Sequence, residues 1–228
     1  MSKLDGIPKI YYINLEEATD RNRYMIDMFA KYGITNFERY GAKRYMKSGH
    51  RRLSASQFGC MMSHIEICKL ILQGEDEYAI VMEDDIDIST VDLWQFTWKE
   101  LMKNVPEFDI FQLHRQQVED FDNARLKKWG PWDHSTAAYV ITKDYARGIV
   151  KMYQRSEGAL AAFKPLSGRT GPVADFSMYY HGTTYSTCIF NVKKFPSQIA
   201  TPGDTIQKVL KAIDKMFQKP LSLNDIIK

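Results

Sequence analysis

Apolar residues along this chain alternate between short unbroken runs and longer stretches with helical spacing. The first run, K-I-Y-Y-I-N-L (9–15), lies between Pro8 and the polar E-E-A-T-D-R-N-R and predicts a buried strand. Helical spacing follows from about Asp20 to Tyr32, where Gly33 supplies a stop. F-E-R-Y-G-A (37–42) reads as a second short strand. The next helix is the best marked: Ser54 and Gln57 have capping-box spacing, Gly74 closes it, and apolar residues from Phe58 to Leu72 go most of the way round.

Y-A-I-V-M-E-D (78–84) predicts the next strand, and a helix is expected near Asp92 to Lys103, stopping before Pro106. F-D-I-F-Q-L-H (108–114) and T-A-A-Y-V-I-T (136–142) read as strands on either side of an irregular segment rich in charge and Trp. A helix over 143–155, a strand over 185–191 and an amphipathic helix over 205–217 complete the pattern. Such alternation predicts an α/β, Rossmann-like architecture, a mixed, mainly parallel sheet flanked by helices. One domain is expected over 1–203, with a C-terminal amphipathic helix and tail over 204–228.

Charge and cysteine content narrow the function. With 31 basic and 28 acidic residues the net charge is only +3, which gives little ground for nucleic-acid binding as the main task. Cys60, Cys68 and Cys188 are odd in number and lack C-x-x-C spacing, as expected of thiols in a reducing compartment. No signal-peptide core or 18-residue apolar run is present, so a soluble, cytoplasmic protein is expected. The basic stretch from Lys43 to Arg52 reads as a solvated loop, with an anion-binding lid as the alternative.

Candidate chemistry concentrates in A-I-V-M-E-D-D-I-D (79–87), where acids follow a strand. In α/β sheets ligands bind beyond the carboxyl ends of strands. If the chain stays extended, Glu83, Asp85 and Asp87 share one side and Asp84 takes the other. Carboxylates so placed repel unless a cation sits between them, and hard oxygen ligands suit Mn2+ or Mg2+. The alternative is that some cap a following helix or face solvent.

Several segments together resemble glycosyltransferase family 25, the lipopolysaccharide-type and procollagen-type galactosyltransferases. They are I-N-L with Arg21 and Arg23 downstream, G-C-M-M-S-H-I-E-I (59–67), I-V-M-E-D-D-I (80–86), A-A-Y-V-I-T-K-D-Y-A-R-G-I-V and P-V-A-D-F (172–176), within about residues 9–195. The resemblance implies a GT-A-like fold and transfer of a hexose, galactose or glucose, from a UDP-sugar to a hydroxyl of a glycan, lipid-linked or protein acceptor, with inversion. It implies a metal held by Asp85 with help from Glu83 or Asp87, and a separate carboxylate as general base. Asp175 is the candidate base, with Asp84 and Asp87 as alternatives and a helix N-cap as its structural reading.

On the same resemblance Ser63 and His64 face the donor, although a hydrogen-bonded core histidine is the ordinary reading of His64. Asn14, Arg21 and Asp84 would meet the nucleotide, Arg21 by a two-point grip on phosphate; otherwise Asn14 and Arg21 are a turn residue and a surface cation. His181 is a third possible metal ligand, on its spacing after Asp175 alone. Q-L-H-R (112–115) stands where the family has a Leu-Gly type strand end, and the segment 115–135 with Trp129 and Trp132 is individual to this chain. Rival readings are a scaffold that keeps the fold without activity and a metal-dependent phosphotransferase, against which the lack of a G-x-x-x-x-G-K-[ST] loop counts. Lys208, Lys211, Lys215 and Lys219 give the last helix a basic face that would suit an anionic membrane, or simply solvent if the helix packs on the domain.

Overall fold

The computed structural model describes residues 2–48, 53–116, 124–155, 173–193, 195 and 211–227. The strands are β1 (Ile10–Leu15), β2 (Phe37–Ala42), β3 (Tyr78–Glu83), β4 (Ile86–Asp87), β5 (Ile110–Gln112), β6 (Lys127–Lys128), β7 (Ala138–Thr142), β8 (Thr184–Ser186) and β9 (Asn191–Val192). The helices are α1 (Thr19–Lys31), α2 (Ala55–Gln73), α3 (Trp98–Asn104), α4 (Lys143–Arg155), α5 (Ala174–Tyr179), residues 211–216 (α6) and α7 (Leu223–Ile227).

The main sheet has the order β2-β1-β3-β7-β5-β8-β6, and β4 pairs with β9 in a second, small sheet. β1 is parallel to β2 and β3, and β5 to β8, whereas β7 is antiparallel to both β3 and β5, and β6 to β8. β1, β2, β3, β5 and β8 therefore point one way and β7 and β6 the other, the mixed, mainly parallel arrangement expected. Its central strands are covered on both faces, as their almost unbroken apolar runs require. Ile10, Tyr12, Ile80, Met82, Ala138 and Val140 pack on the side of α1, while Tyr11, Val81, Tyr139 and Ile141 pack against α2, α4 and α5.

α2 begins where its sequence says: the Ser54 side chain takes the Gln57 N–H and the Gln57 side chain takes the Ser54 N–H. Elsewhere tertiary contacts overrule local pattern. The helix expected from Asp92 is a short 3-10 turn at Ser89–Leu93, tied down by the Thr90 hydroxyl donating to Ile189 O at 2.7 Å; α3 starts only at Trp98, under a Thr97/Glu100 capping box. The strand expected over 185–191 is split, because β8 belongs to the main sheet and β9 to the small one. Strand β5 covers three residues of the seven expected.

The chain's end packs on this body. Ile213 covers Cys188, Leu221 bridges to Trp94, and Ile226 is fully buried in the core, while Lys211, Lys215 and Lys219 are exposed. Residues 204–210, with Lys208, lie outside the described residues. All three cysteines are free thiols, and no helix among the described residues is long and apolar enough to cross a membrane.

His114, fully buried, donates from Nδ1 to Phe190 O at 2.9 Å, and burial pushes its pKa down to about 4. Between the ordinary 6.5 and about 4 the unfolded chain therefore binds a proton that the folded chain refuses, so stability falls as pH drops through that window. The loss is on the order of 3 kcal/mol once pH is below both values. Urea denaturation across this range should show a slope in the parent protein that His114→Asn, which keeps a donor at the Nδ1 position, lacks; equal slopes would mean that His114 is not held neutral.

Candidate functional site

Beyond the carboxyl ends of β1 and β3 the four acids do not act as one group. β3 ends at Glu83 and residues 84–85 turn before β4 begins, so the extended condition fails. Asp84 is drawn inward: it ion-pairs with Arg21 Nη1 at 2.9 Å and accepts from Asn14 Nδ2 at 2.6 Å. Asn14, itself buried, also donates to Ala18 O and accepts from Arg39 Nε at 2.9 Å. Burial pushes the Asp84 carboxyl above its ordinary value in spite of the Asn14 amide and the Arg21 charge. Asn14 is thus wholly engaged within the protein, and Arg21 keeps one edge on Asp84.

Glu83 turns the other way, toward α2. Its Oε1 accepts from Thr136 Oγ1 at 2.7 Å and stands 3.7 Å from His64 Nε2, beyond hydrogen-bond reach. His64 is fully buried, with Nδ1 2.9 Å from the Tyr139 hydroxyl. Burial raises the Glu83 carboxyl, but the His64 imidazole and the Thr136 hydroxyl outweigh it and leave Glu83 below its ordinary value. Cys60, one turn before His64 on α2, brings its sulfur into the same cluster, and burial together with Glu83 and Asp175 pushes its thiol well up. Ser63 is buried and donates to Gly59 O at 2.8 Å, a bond within its own helix.

Asp85 and Asp87 are half-buried. Burial, then the neighbouring Glu83 and Asp84 charges, push Asp85 up to about 7. Its carbonyl accepts from Lys193 N at 2.7 Å, which ties the turn to β9, and Asp87 Oδ1 accepts from Ser89 N at 2.8 Å.

Asp175 lies in the first turn of α5, but the cap position is held by Val173. Asp175 Oδ1 instead accepts the N–H of Ser135, whose own φ is 107°. Ser135 O accepts from Tyr179 Oη at 2.9 Å and from Gln112 Nε2 at 2.7 Å. Gln112 also reaches Asp133 O and His134 O, each at 3.2 Å, and accepts from Ser186 Oγ at 2.6 Å. Gln112 thus supplies a buried clamp for the segment that positions Asp175. Burial pushes the Asp175 carboxyl above its ordinary value. His181 is not brought to the acids: it precedes β8, at the amino edge of the sheet, whereas they follow the carboxyl end of β3.

A cavity of about 450 Å3 opens against this edge, lined among others by Arg21, Lys43, Arg44, Tyr45, Gly59, Cys60, Ser63, Glu83 and Asp84. The start of the basic stretch is therefore a wall of the cavity; residues 49–52 lie outside the described residues. Gly59 makes room for that wall, since a Cβ there would come within 3.1 Å of the Tyr45 ring. Between β6 and β7, Trp129 is a packing anchor against Phe176 and Tyr179, while Trp132 is 74% exposed. Sequence reasoning missed Gln112, Ser135, Thr136 and Tyr139, whose roles depend on partners far along the chain, and read Cys60 only as a buried thiol. The i, i+4 spacing of Cys60 and His64 on one helix face was the available signal.

Residues 7–162 match the family described as Glycosyltransferase family 25 (LPS biosynthesis protein). Human procollagen galactosyltransferase 2 is 30% identical over 149 residues, a match that covers 57% of this chain and 22% of that protein's length. Two solved structures are similar at low identity. A glycosyltransferase involved in the glycosylation of the major capsid of PBCV-1 has 10% identity and a TM-score of 0.40, covering 92% of this chain and 99% of that one. The inositol-1-phosphate CTP transferase from T. maritima has 11% identity and a TM-score of 0.41, covering 96% and 99%.

The Arg21–Asp84 pair separates a fold-holding arginine from a purely ligand-binding one. Arg21→Leu strands a buried carboxylate and should cost stability near the lower end of the roughly 3–5 kcal/mol expected for breaking such pairs, since the arginine is partly exposed. Urea denaturation without any ligand measures this, and an unchanged midpoint would assign Arg21 to ligand binding alone.

Proposed function

Since this chain belongs to glycosyltransferase family 25, we propose that it transfers a hexose from a UDP-sugar to an acceptor hydroxyl of a glycan, lipid-linked or protein acceptor, with inversion at the anomeric carbon. The observation that carries the proposal is the cavity beyond β1 and β3, where Arg21, Lys43 and Arg44 face the side of an acidic turn. Cationic side chains beside the mouth of a parallel sheet suit a diphosphate, and the Tyr45 ring, seated over Gly59, offers an apolar face to a nucleobase. The name of the human relative favours galactose as the donor sugar.

A divalent cation fits the turn. Asp85 and Asp87 carry hard oxygen donors within and just after it, and Asp85, pushed up to about 7 by burial beside other carboxylates, is a group that a nearby cation would relieve. Mn2+ or Mg2+ bound there would offset the charge that develops on the UDP leaving group. Glu83, engaged with Thr136 and facing His64, is left out of this pair. The Asp84, Arg21 and Asn14 contacts hold the turn in place.

Inversion requires a base on the face of the sugar opposite the leaving group. Asp175 takes that role: the Ser135 N–H fixes one carboxylate oxygen, and burial makes the group more basic than a solvated aspartate. The exposed Trp132 offers a ring face to an acceptor sugar.

Calorimetry of UDP, with GDP as control, should show binding in Mn2+ that chelator removes and that Asp85→Asn abolishes. Failure to bind in either condition would leave a scaffold or another donor nucleotide. Asp175→Asn, which can still accept from Ser135, should leave UDP affinity intact and lower kcat by about 10²–10⁴-fold. Unaltered turnover in that variant would move the base to another carboxylate.

A further inference from the structure

Cys60, His64 and Glu83 form a cluster that the transferase reading does not use. We propose that these residues bind a divalent transition-metal ion of the Zn2+ class, at a site separate from the Asp85 and Asp87 pair. Each offers one ligand atom, and the atoms all lie within 4.8 Å of one another. The 3.7 Å between His64 Nε2 and Glu83 Oε1 is too long for a hydrogen bond. It is close to the separation of about 3.4 Å that two metal–ligand bonds of roughly 2.0–2.2 Å make at a tetrahedral angle.

The histidine is prepared for this use. His64 is fully buried and its Nε2, aimed at Glu83, has no hydrogen-bond partner. An orphaned buried polar atom is costly, and this one, unlike the equally unpartnered Nε2 of His114, stands beside both a thiol and a carboxylate. The other nitrogen, Nδ1, is held by the Tyr139 hydroxyl at 2.9 Å, the kind of outer contact that fixes the ring of a metal-ligating histidine. Thr136 Oγ1 fixes the Glu83 oxygen in the same way at 2.7 Å.

The donor set decides the class of ion. A mixed sulfur, nitrogen and oxygen set favours Zn2+ or Co2+ over Mn2+ or Mg2+, which select oxygen. Cys60 and Glu83 line the cavity whereas His64 does not, so three protein ligands would leave the fourth position open toward the cavity. Cys60 and His64 stand four residues apart on α2, which a full capping box and a buried face hold rigid.

Cobalt titration of the full chain tests the site without substrate or turnover. One equivalent of Co2+ should produce a thiolate-to-metal charge-transfer band that Zn2+ displaces and Mn2+ does not. The band should vanish in Cys60→Ser and in His64→Gln and persist in Asp85→Asn. Tyr139→Phe should still bind but about 10–100-fold more weakly. A missing band in the parent protein, a band that survives Cys60→Ser, or undiminished affinity in Tyr139→Phe would overturn the proposal. Loss of the band in Asp85→Asn would overturn it too, by moving the ion to the acidic turn. UDP takes no part in these measurements, so their outcome is independent of the transferase reading.

Discussion

The inward turn of Asp84 is the constraint on which this edge of the molecule depends. A carboxylate at 5% exposure persists only with its partners in place, and these come from the end of β1 and the start of α1. Arg39 on β2 joins the same net through Asn14. The ends of β2, β1 and β3 are thereby tied together through one buried charge. With Asp84 fixed inside, Glu83 before it turns to the α2 side, toward His64 and Thr136.

The direction of β7 matters as much. Because it runs antiparallel between β3 and β5, its leading residues arrive at the edge where β3 and β5 end. That geometry delivers Thr136 to Glu83 and Ser135 to Asp175, and places Tyr139 behind His64. A parallel strand there would have brought its carboxyl end to the edge and left these contacts unmade. The Gln112 amide then holds the approach to β7 from below, through carbonyls of residues 133–135.

These two devices sort the polar residues of one edge into groups with different chemistry. The Asp84 net is a structural charge pair, Asp85 and Asp87 carry the acidic turn on into β4, and Cys60, His64 and Glu83 form a mixed sulfur, nitrogen and oxygen set. Asp175, on the short helix α5, is positioned by the Ser135 N–H and lies near enough to Cys60 for its charge to raise that thiol. Separation of this kind allows neighbouring acids to carry different protonation states and different partners within a small volume.

By itself the sequence determined what depends on neighbours a few residues away. The capping box and glycine stop of α2, the runs of β1 and β2, the helix after β7 and the presence of an acid-rich strand end were all legible, because caps and apolar periodicity are local. The families of segments around G-C-M-M-S-H and E-D-D also pointed to the right kinship. The tertiary structure alone decided which acids act together, that Asn14 and Arg21 serve Asp84, that Asp175 faces Ser135 rather than capping its helix, and that His181 lies at the opposite edge. It also ended the expected strand over 185–191 early and shortened the helix expected before Pro106. Each of these rests on strand order, strand direction or a partner tens of residues distant, and a carboxylate's neighbours in space cannot be counted from its neighbours in the chain.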